Sequence, residues 1–155
     1  ERALQLAAEA IGHNAANYTA WQFRRKCLHE LHSESSEEQR KAAWREELEF
    51  ADEQCRNNMK NYQVWFHRRT CVERLGEPDK EMAFIDEVLL EDSKNYHAWG
   101  HRQWVLRKYS LWSAELAFVD RLISQDLRNN SAWNQRYFVL QQTADLKAPA
   151  LVSTE

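Results

Sequence analysis

One short phrase, an asparagine followed four residues later by a tryptophan, occurs four times in this chain. The copies are Asn17–Trp21, Asn61–Trp65, Asn95–Trp99 and Asn129–Trp133. An arginine stands three residues after each tryptophan, at Arg24, Arg68, Arg102 and Arg136. Successive tryptophans are 44, 34 and 34 residues apart. A period in the thirties is typical of stacked repeats, so the chain is predicted to be a solenoid in which each unit contacts its neighbours.

Each repeat is predicted to consist of two helices. Counted from the tryptophan, apolar residues recur at spacings of three, four and seven, which is the stripe of an amphipathic helix. The helices would join seven residues before each tryptophan, at Asn14, Asn58, Asp92 and Asp126. The repeated asparagine is a predicted N-cap, whose side chain accepts a hydrogen bond from the second helix. The predicted helices cover residues 1–12, 17–32, 37–56, 61–75, 79–91, 95–109, 112–126 and 130–142.

Residues 1–142 are therefore expected to form one all-α domain, an α-α superhelix of about four helical hairpins and a piece of a longer subunit. The first interval holds ten more residues than the others. We place this insertion in residues 33–43, as a solvated loop or a helix extension. The period is lost after Gln142, so residues 143–155 are predicted to be a loosely ordered tail.

The composition argues against several classes of protein. The net charge of −3 gives no reason to expect nucleic acid or an anionic membrane as the main partner. No apolar run approaches the roughly 18 residues of a membrane span, so stable membrane insertion is not expected. Cys27, Cys55 and Cys71 share repeat positions with Val, Ile or Leu. They are predicted to be core residues, which fits a reducing, cytoplasmic environment.

Several repeated polar residues are predicted to be structural. An arginine in every repeat should hydrogen-bond a carboxylate or a helix-end carbonyl. The candidate carboxylates stand eighteen residues before a tryptophan, at Glu47, Glu81 and Glu115, and the sequence leaves the pairing open. His67 and His101 share a position with Phe23 and Gln135, so they are expected to be packing residues. His97 and His101 are four residues apart but lack the glutamate of a zinc-binding helix motif, so no metal site is predicted.

The repeats differ most at two positions near the start of the second helix. Two residues before the tryptophan stand Thr19, Gln63, His97 and Ser131. Five residues before it stand Ala16, Lys60, Lys94 and Arg128. A cation at a helix N-terminus is slightly unfavourable, whereas exposed N–H groups and a lysine together suit a phosphate or carboxylate. These cations therefore either belong to an anion site or are exposed side chains for which the cost is negligible.

The wording of the repeats resembles the protein prenyltransferase α-subunit family. The resemblance is carried by residues 60–69, 94–104 and 128–138, and it extends from the first helix to about residue 140. The chain looks like the α subunit shared by protein farnesyltransferase and type I geranylgeranyltransferase. One alternative is the Rab-type α subunit, and another is a non-catalytic peptide-binding scaffold similar to tetratricopeptide proteins. The insertion, and Asn130 in place of the repeat tyrosine, depart from the family pattern.

The resemblance implies an enzyme that is active only as a heterodimer. The α solenoid would curve around a β subunit, which would bind a catalytic zinc ion and most of the isoprenoid. The enzyme would move a farnesyl or geranylgeranyl group from its diphosphate to a cysteine near the C-terminus of a protein substrate. This chain is then expected to bind no cofactor itself, with magnesium accompanying the diphosphate. The choice between the two lipids would belong to the β subunit.

The resemblance also implies roles for individual residues. Lys60 matches the family's catalytic lysine, which stabilises charge on the departing diphosphate. The positions near the diphosphate and the isoprenoid are matched by Tyr62, Tyr96 and His97. Gln63 matches the residue that binds the C-terminal carboxylate of the peptide, and Tyr18 matches a neighbouring peptide-side position. Asn61 and Asn95 are expected to start their helices rather than to contact substrate.

Overall fold

The computed structural model describes residues 1–78 and 80–147, and the side chains among them up to residue 144. These residues form eight α-helices and no strand. The helices are α1 (Arg2–His13), α2 (Tyr18–Leu31), α3 (Glu37–Asn57), α4 (Tyr62–Leu75), α5 (Glu81–Glu91), α6 (Tyr96–Tyr109), α7 (Glu115–Gln125) and α8 (Asn130–Lys147).

Consecutive helices pack in pairs, which we number hairpins 1 to 4. The pairs are α1 with α2, α3 with α4, α5 with α6, and α7 with α8. The second helices of successive hairpins also touch, since α2 contacts α4 and α4 contacts α6. The predicted all-α solenoid of helical hairpins is thus confirmed.

Short polar segments separate the two helices of each hairpin. The first helices end at the C-cap residues Asn14, Asn58, Asp92 and Asp126. The second helices follow Asn17, Asn61, Asn95 and Asn129. The side-chain oxygens of these four asparagines accept backbone N–H groups two or three residues ahead at 2.9–3.2 Å. Each asparagine therefore satisfies donors that the first turn of a helix leaves unpaired.

The repeated tryptophans fix these segments to the core. Each ring N–H donates to the carbonyl six residues earlier at 2.8–3.0 Å. Trp21, Trp65 and Trp99 are buried, and each packs against a phenylalanine of the next hairpin, with ring centroids 6.0–6.3 Å apart. Trp133 is 45% exposed, because no described helix packs beyond hairpin 4.

The insertion agrees with the sequence prediction, whereas the start of the predicted tail does not. Helix α3 has 21 residues where α5 and α7 have 11 each. Ser36 and Gln39 form a capping box at its start, so the insertion is a short loop followed by a helix extension. Helix α8 continues to Lys147, so residues 143–147 of the predicted tail are helical. Residues 148–155 lie outside the described residues.

The core prediction is correct for two of the three cysteines. Cys55 and Cys71 are fully buried, and burial raises the pKa of Cys55 to about 12. Cys27 is only half-buried, because it lies near Phe23 and Leu31 on the outer face of hairpin 1. No helix in the described part of the chain offers the apolar length that a bilayer crossing requires.

Candidate functional site

Lys60 lies in the segment between α3 and α4, which two repeats hold in place. The carbonyl of Met59, the residue before it, accepts the ring N–H of Trp65 at 2.8 Å. The same carbonyl accepts the side-chain amide of Asn95 at 3.2 Å. Trp65 belongs to hairpin 2 and Asn95 precedes the second helix of hairpin 3. The backbone beside Lys60 is therefore fixed from both sides of a repeat junction.

The ammonium of Lys60 is exposed and has one nearby carboxylate. Its Nζ lies 3.4 Å from Oδ2 of Asp92, and the lysine side chain is 80% exposed. Ion pairs at this level of exposure contribute little to stability. The ammonium therefore stays accessible to another anion.

The same ion pair occurs one repeat later. Nζ of Lys94 lies 3.3 Å from Oδ2 of Asp126. The next hairpin thus supplies a carboxylate at both positions, which compensates the unfavourable cation at each helix start. A cation at a helix start therefore does not distinguish Lys60 from Lys94, and only the surrounding side chains do.

Aromatic rings from two hairpins meet at His97, whose imidazole also bonds to the backbone of Lys60. The ring of Tyr62 meets the imidazole of His97 edge to face, with centroids 4.3 Å apart and an interplanar angle of 85°. Tyr96 contacts the same imidazole at 5.7 Å. Tyr62 and Tyr96 are 67% and 74% exposed. We call Lys60, Tyr62, Tyr96 and His97 the edge cluster.

His97 is the half-buried member of the edge cluster. Partial burial lowers the pKa of its imidazole, and a hydrogen bond to the backbone of Lys60 acts in the opposite direction. The imidazole is therefore neutral near pH 7. It connects hairpin 3 to the backbone of Lys60 without adding a second positive charge.

Tyr18 and Gln63 lie at the starts of the neighbouring second helices, as the first residue of α2 and the second of α4. Tyr18 is 67% exposed, and Gln63 is half-buried. The aromatic contacts that join the edge cluster do not include either side chain. The structure thus brings together four of the predicted site residues, and these two lie beside them along the starts of the second helices.

The most polar interior lies at the junctions between hairpins. Nε and Nη2 of Arg68 donate to both carboxylate oxygens of Glu81 at 2.8 and 2.7 Å. Its third nitrogen, Nη1, donates to Asp52. The guanidinium carbon lies 3.3 Å from the centroid of the Phe84 ring. Both Arg68 and Glu81 are only 2% exposed.

The flanking junctions repeat this arrangement. Arg102 binds Glu115 through two bonds of 2.8 Å and Asp86 through one of 2.6 Å. Arg24 binds Glu47 at 2.6 and 2.7 Å, and the carbonyl of Leu4 takes the place of the aspartate. Each arginine is therefore paired with the glutamate of the following hairpin. The sequence predicted these glutamates as candidate partners, but not whether each arginine pairs with the glutamate of its own hairpin or of the next.

His67 and His101 are buried packing residues as predicted, with ring centroids 4.6 and 5.4 Å from those of Trp21 and Trp65. They also form hydrogen bonds that the prediction did not include. Their Nε2 atoms lie 2.6 and 2.5 Å from Oε1 of Glu47 and Glu81, and both rings are buried. Gln135 donates to Glu115 in the same way at 2.8 Å. These side chains bind the buried glutamates rather than merely packing.

The signal for this role was present in the repeat. Histidine and glutamine both place an Nε donor at the same distance along the side chain. In repeat 1, Phe23 occupies that position, and Ala3 stands eighteen residues before Trp21 where the other repeats carry the glutamate. The donor and its acceptor are therefore absent together.

Burial and hydrogen bonding together determine the protonation states of the glutamates and histidines in these junctions. Burial would raise the pKa of Glu81, but hydrogen bonds and the charge of Arg68 reverse this and lower it. Burial lowers the pKa of His101, outweighing the opposite effect of Glu81. A neutral imidazole therefore donates from Nε2 to an ionised carboxylate, which the arginine neutralises. His67 and Glu47 show the same directions.

The described stretches contain no group of three His, Cys, Asp or Glu side chains that could hold a metal ion. His101, half of the spacing that zinc helices use, is already bound to Glu81.

The repeats match a known family, and the fold matches a solved structure. The family described as "Protein prenyltransferase alpha subunit repeat" matches residues 1–31, 44–75, 78–109 and 112–143. A chain of a Candida albicans protein geranylgeranyltransferase-I complexed with GGPP is 32% identical, with a TM-score of 0.82. The match covers 94% of this chain and 49% of that chain, so this chain spans about half of its length. No curated protein sequence matches.

The matched segments and the structure agree in detail. Each matched segment ends within or at the end of the second helix of a hairpin, and the unmatched residues 32–43 contain the loop and the extension before Trp44. The tetratricopeptide-like alternative is not supported, since all four repeats match another family. The chain belongs to the protein prenyltransferase alpha subunit family, of which it carries four repeats.

Proposed function

We propose that this chain is the α-subunit part of a heterodimeric protein prenyltransferase. The enzyme would move a farnesyl or geranylgeranyl group from its diphosphate to a C-terminal cysteine of a protein substrate. One observation carries the site assignment: the 80% exposed side chain of Lys60 extends from a backbone that is bonded to His97, the imidazole on which Tyr62 and Tyr96 pack. The family membership and the similarity to a geranylgeranyltransferase-I complexed with GGPP support the reaction class.

Lys60 is the proposed catalytic residue of this chain. As the bond between the isoprenoid carbon and the diphosphate breaks, the leaving oxygens gain negative charge. A cation that meets those oxygens stabilises the transition state more than the ground state. Asp92 holds the ammonium before the diphosphate arrives, so binding exchanges one anionic partner for another. The hydroxyl groups of Tyr62 and Tyr96 are further donors for the same oxygens.

Lys94 makes the equivalent ion pair, and its surroundings argue against the same role. One repeat after Tyr62, Tyr96 and His97, the chain carries Tyr96, Asn130 and Ser131. The imidazole that bridges two repeats beside Lys60 therefore has no counterpart beside Lys94. An anion there would meet a lysine with fewer positioned neighbours.

The proposed β subunit supplies the remaining parts of the reaction. A zinc ion in that subunit would make the acceptor sulfur a thiolate, which is the attacking species. In this chain, the Gln63 amide is proposed to donate to the terminal carboxylate of the peptide, and Tyr18 to contact the peptide beside it.

Co-expression of the full-length protein with candidate β subunits tests the proposal. We expect it to co-purify with the β subunit of farnesyltransferase or of geranylgeranyltransferase type I. The pair should then transfer lipid from farnesyl or geranylgeranyl diphosphate to a peptide ending in a Cys motif. Activity only with a Rab-type β subunit would favour that alternative. A stable heterodimer that transfers no lipid with any of the three would contradict the proposal.

A further inference from the structure

A groove separate from the edge cluster runs between α2 and α4. From α2 it is lined by Arg25, Lys26 and His29. The far wall contains Phe66 and Arg74 of α4. We call this the α2–α4 groove. Three of these side chains are cationic, and none of the described residues that line the groove is acidic.

The insertion builds the third wall of the groove. Trp44 lines it from α3, next to the residues that the family repeats do not match. Its equivalents in the next two repeats, Pro78 and Trp112, precede α5 and α7, whereas Trp44 lies inside the longer α3. Neither of the later junctions therefore has a helical wall at this place.

Arg25 is held in this groove with an unmet hydrogen-bonding need. Its Nη1 is buried and has no hydrogen-bond partner among the described residues. The guanidinium carbon lies 5.0 Å from the centroid of the Phe66 ring. Burial lowers the pKa of this guanidinium, and no neighbouring carboxylate opposes that shift. An unpaired buried donor of this kind costs free energy that an incoming acceptor would recover.

The next junction shows which group is missing. There Arg69 and Lys108 occupy the positions of Arg25 and Arg74. One carboxylate, that of Glu73, lies 3.5 Å from Arg69 and 3.8 Å from Lys108. At the α2–α4 groove the position of Glu73 is occupied by His29. The fold therefore supplies a carboxylate to the later pair of cations and not to the earlier pair.

We infer that the α2–α4 groove binds an acidic segment of a partner protein, whose carboxylate takes the place that Glu73 fills one repeat later. The carboxylate would lie between Arg25 and Arg74, with Lys26 at the rim. An adjoining apolar side chain of the segment would pack on Trp44 and on Phe66, whose ring is 55% exposed. The inference does not depend on prenyl transfer.

Peptide binding to the full-length protein tests this inference. The probe is a fluorescein-labelled octapeptide alternating glutamate and phenylalanine, and its comparison replaces every glutamate by glutamine. Fluorescence anisotropy should show that the glutamate peptide binds and the glutamine peptide does not. Charge-assisted hydrogen bonds predict that Arg74→Glu weakens binding by about tenfold or more.

His29→Glu provides the sharpest variant, because it removes no cation. It should reproduce the internal carboxylate of the next junction and abolish peptide binding. His13→Glu makes the same charge change at the end of α1, outside the groove, and should leave binding unchanged. Arg69→Gln should also have no effect. Equal binding of both peptides, no binding of either, or equal loss in His29→Glu and His13→Glu would overturn the inference.

Discussion

The buried junctions and the exposed edge cluster lie on the same helices. The junctions repeat from one hairpin to the next, whereas the edge cluster does not. At the buried junctions, Arg68 and Arg102 make the same set of contacts one repeat apart. At the exposed starts of the second helices, the residues two before the tryptophan are different in every repeat. Periodic residues therefore hold the fold, and the aperiodic ones are where a specific site can form.

Burial explains the contrast. A buried guanidinium or carboxylate without its partner is costly, so each junction must supply every member of the set. The position of His101 holds a donor to the glutamate in three repeats, and Phe23 occurs where the glutamate is absent. Exposed residues such as Tyr62 and Tyr96 are under no such constraint. Stability should therefore depend on the buried junctions, and activity on the exposed starts of the second helices.

The largest expected effect is on stability, at a junction. Glu81→Ala leaves the buried Arg68 without its bidentate acceptor and His101 without its partner. We expect the free energy of unfolding to fall by about 3–5 kcal/mol, measured by urea denaturation. Glu87→Ala, which breaks an exposed pair with Arg56, is the control and should change little. Similar losses in both variants would remove the distinction.

Lys60→Ala should affect activity and not folding. In a heterodimer with its β subunit, the single-turnover rate of lipid transfer should fall by about 10²-fold, as when a transition-state donor is lost. The urea midpoint should stay unchanged, because the side chain is 80% exposed. Lys94→Ala is the matched control and should keep the wild-type rate. Equal rates in the two variants would remove Lys60 from the mechanism.

Gln63→Ala tests the peptide side of the site. We expect the KM for the acceptor peptide to rise by about tenfold, since a hydrogen bond to a charged group is lost. The KM for the isoprenoid diphosphate should stay within twofold, measured by steady-state kinetics with each substrate varied in turn. Ser131→Ala changes the same repeat position in hairpin 4 and should alter neither constant. Equal increases in both KM values would argue against the assignment.

The fourth prediction concerns pH and the junctions. Burial lowers the pKa of His67 and His101, so below about pH 6.5 the unfolded chain binds more protons than the folded one. Stability should therefore fall as the pH drops from about 6.5 towards the lowered native pKa values.

His101→Gln should flatten this dependence, since Gln135 already donates to Glu115 in the equivalent place. Urea midpoints between pH 5 and 8 provide the measurement. We expect the loss of stability between pH 7 and pH 5.5 to shrink by about 1 kcal/mol. His67→Gln, which removes the equivalent imidazole beside Glu47, should flatten the slope in the same way. An unchanged slope in His101→Gln would show that this imidazole does not titrate as described.

The smallest expected effect is at the ion pair that holds Lys60. Asp92→Asn removes the resting partner of the ammonium, so the diphosphate no longer competes with a carboxylate. The KM for isoprenoid diphosphate should fall by about two- to threefold with no change in the urea midpoint. Asp126→Asn, the equivalent change beside Lys94, should leave the KM unchanged. A higher KM in Asp92→Asn would indicate that the carboxylate positions the lysine instead.

Much of the fold could be predicted because the same sequence pattern occurs in four repeats. The spacing of Trp65 and Trp99 gives the period, and Asn61 and Asn95 give the helix starts. The direction of the Arg–Glu pairing could not be read in the same way. The period of 34 residues places a glutamate both before and after Arg68 and Arg102, and only the packing of hairpins selects one.

The candidate site was less predictable from the chain alone. Charge at a helix start marked Lys60 and Lys94 equally, and the two lysines do make equivalent ion pairs. The contact of Tyr62 with His97 joins residues 35 positions apart, across two hairpins. Such a contact depends on how the hairpins stack, and a short sequence pattern does not reveal that stacking. The polar insertion likewise gave no sign that it would form a groove wall through Trp44.

The carbonyl of Met59 gives the edge cluster a mechanical property. This oxygen accepts from Trp65 within hairpin 2 and from Asn95 of hairpin 3, so bending of the stack between these hairpins would strain the bond to Asn95. The position of the Lys60 backbone is thereby coupled to the angle between the two hairpins. A partner that fixed the curvature of the solenoid would therefore also fix the backbone from which the Lys60 ammonium extends.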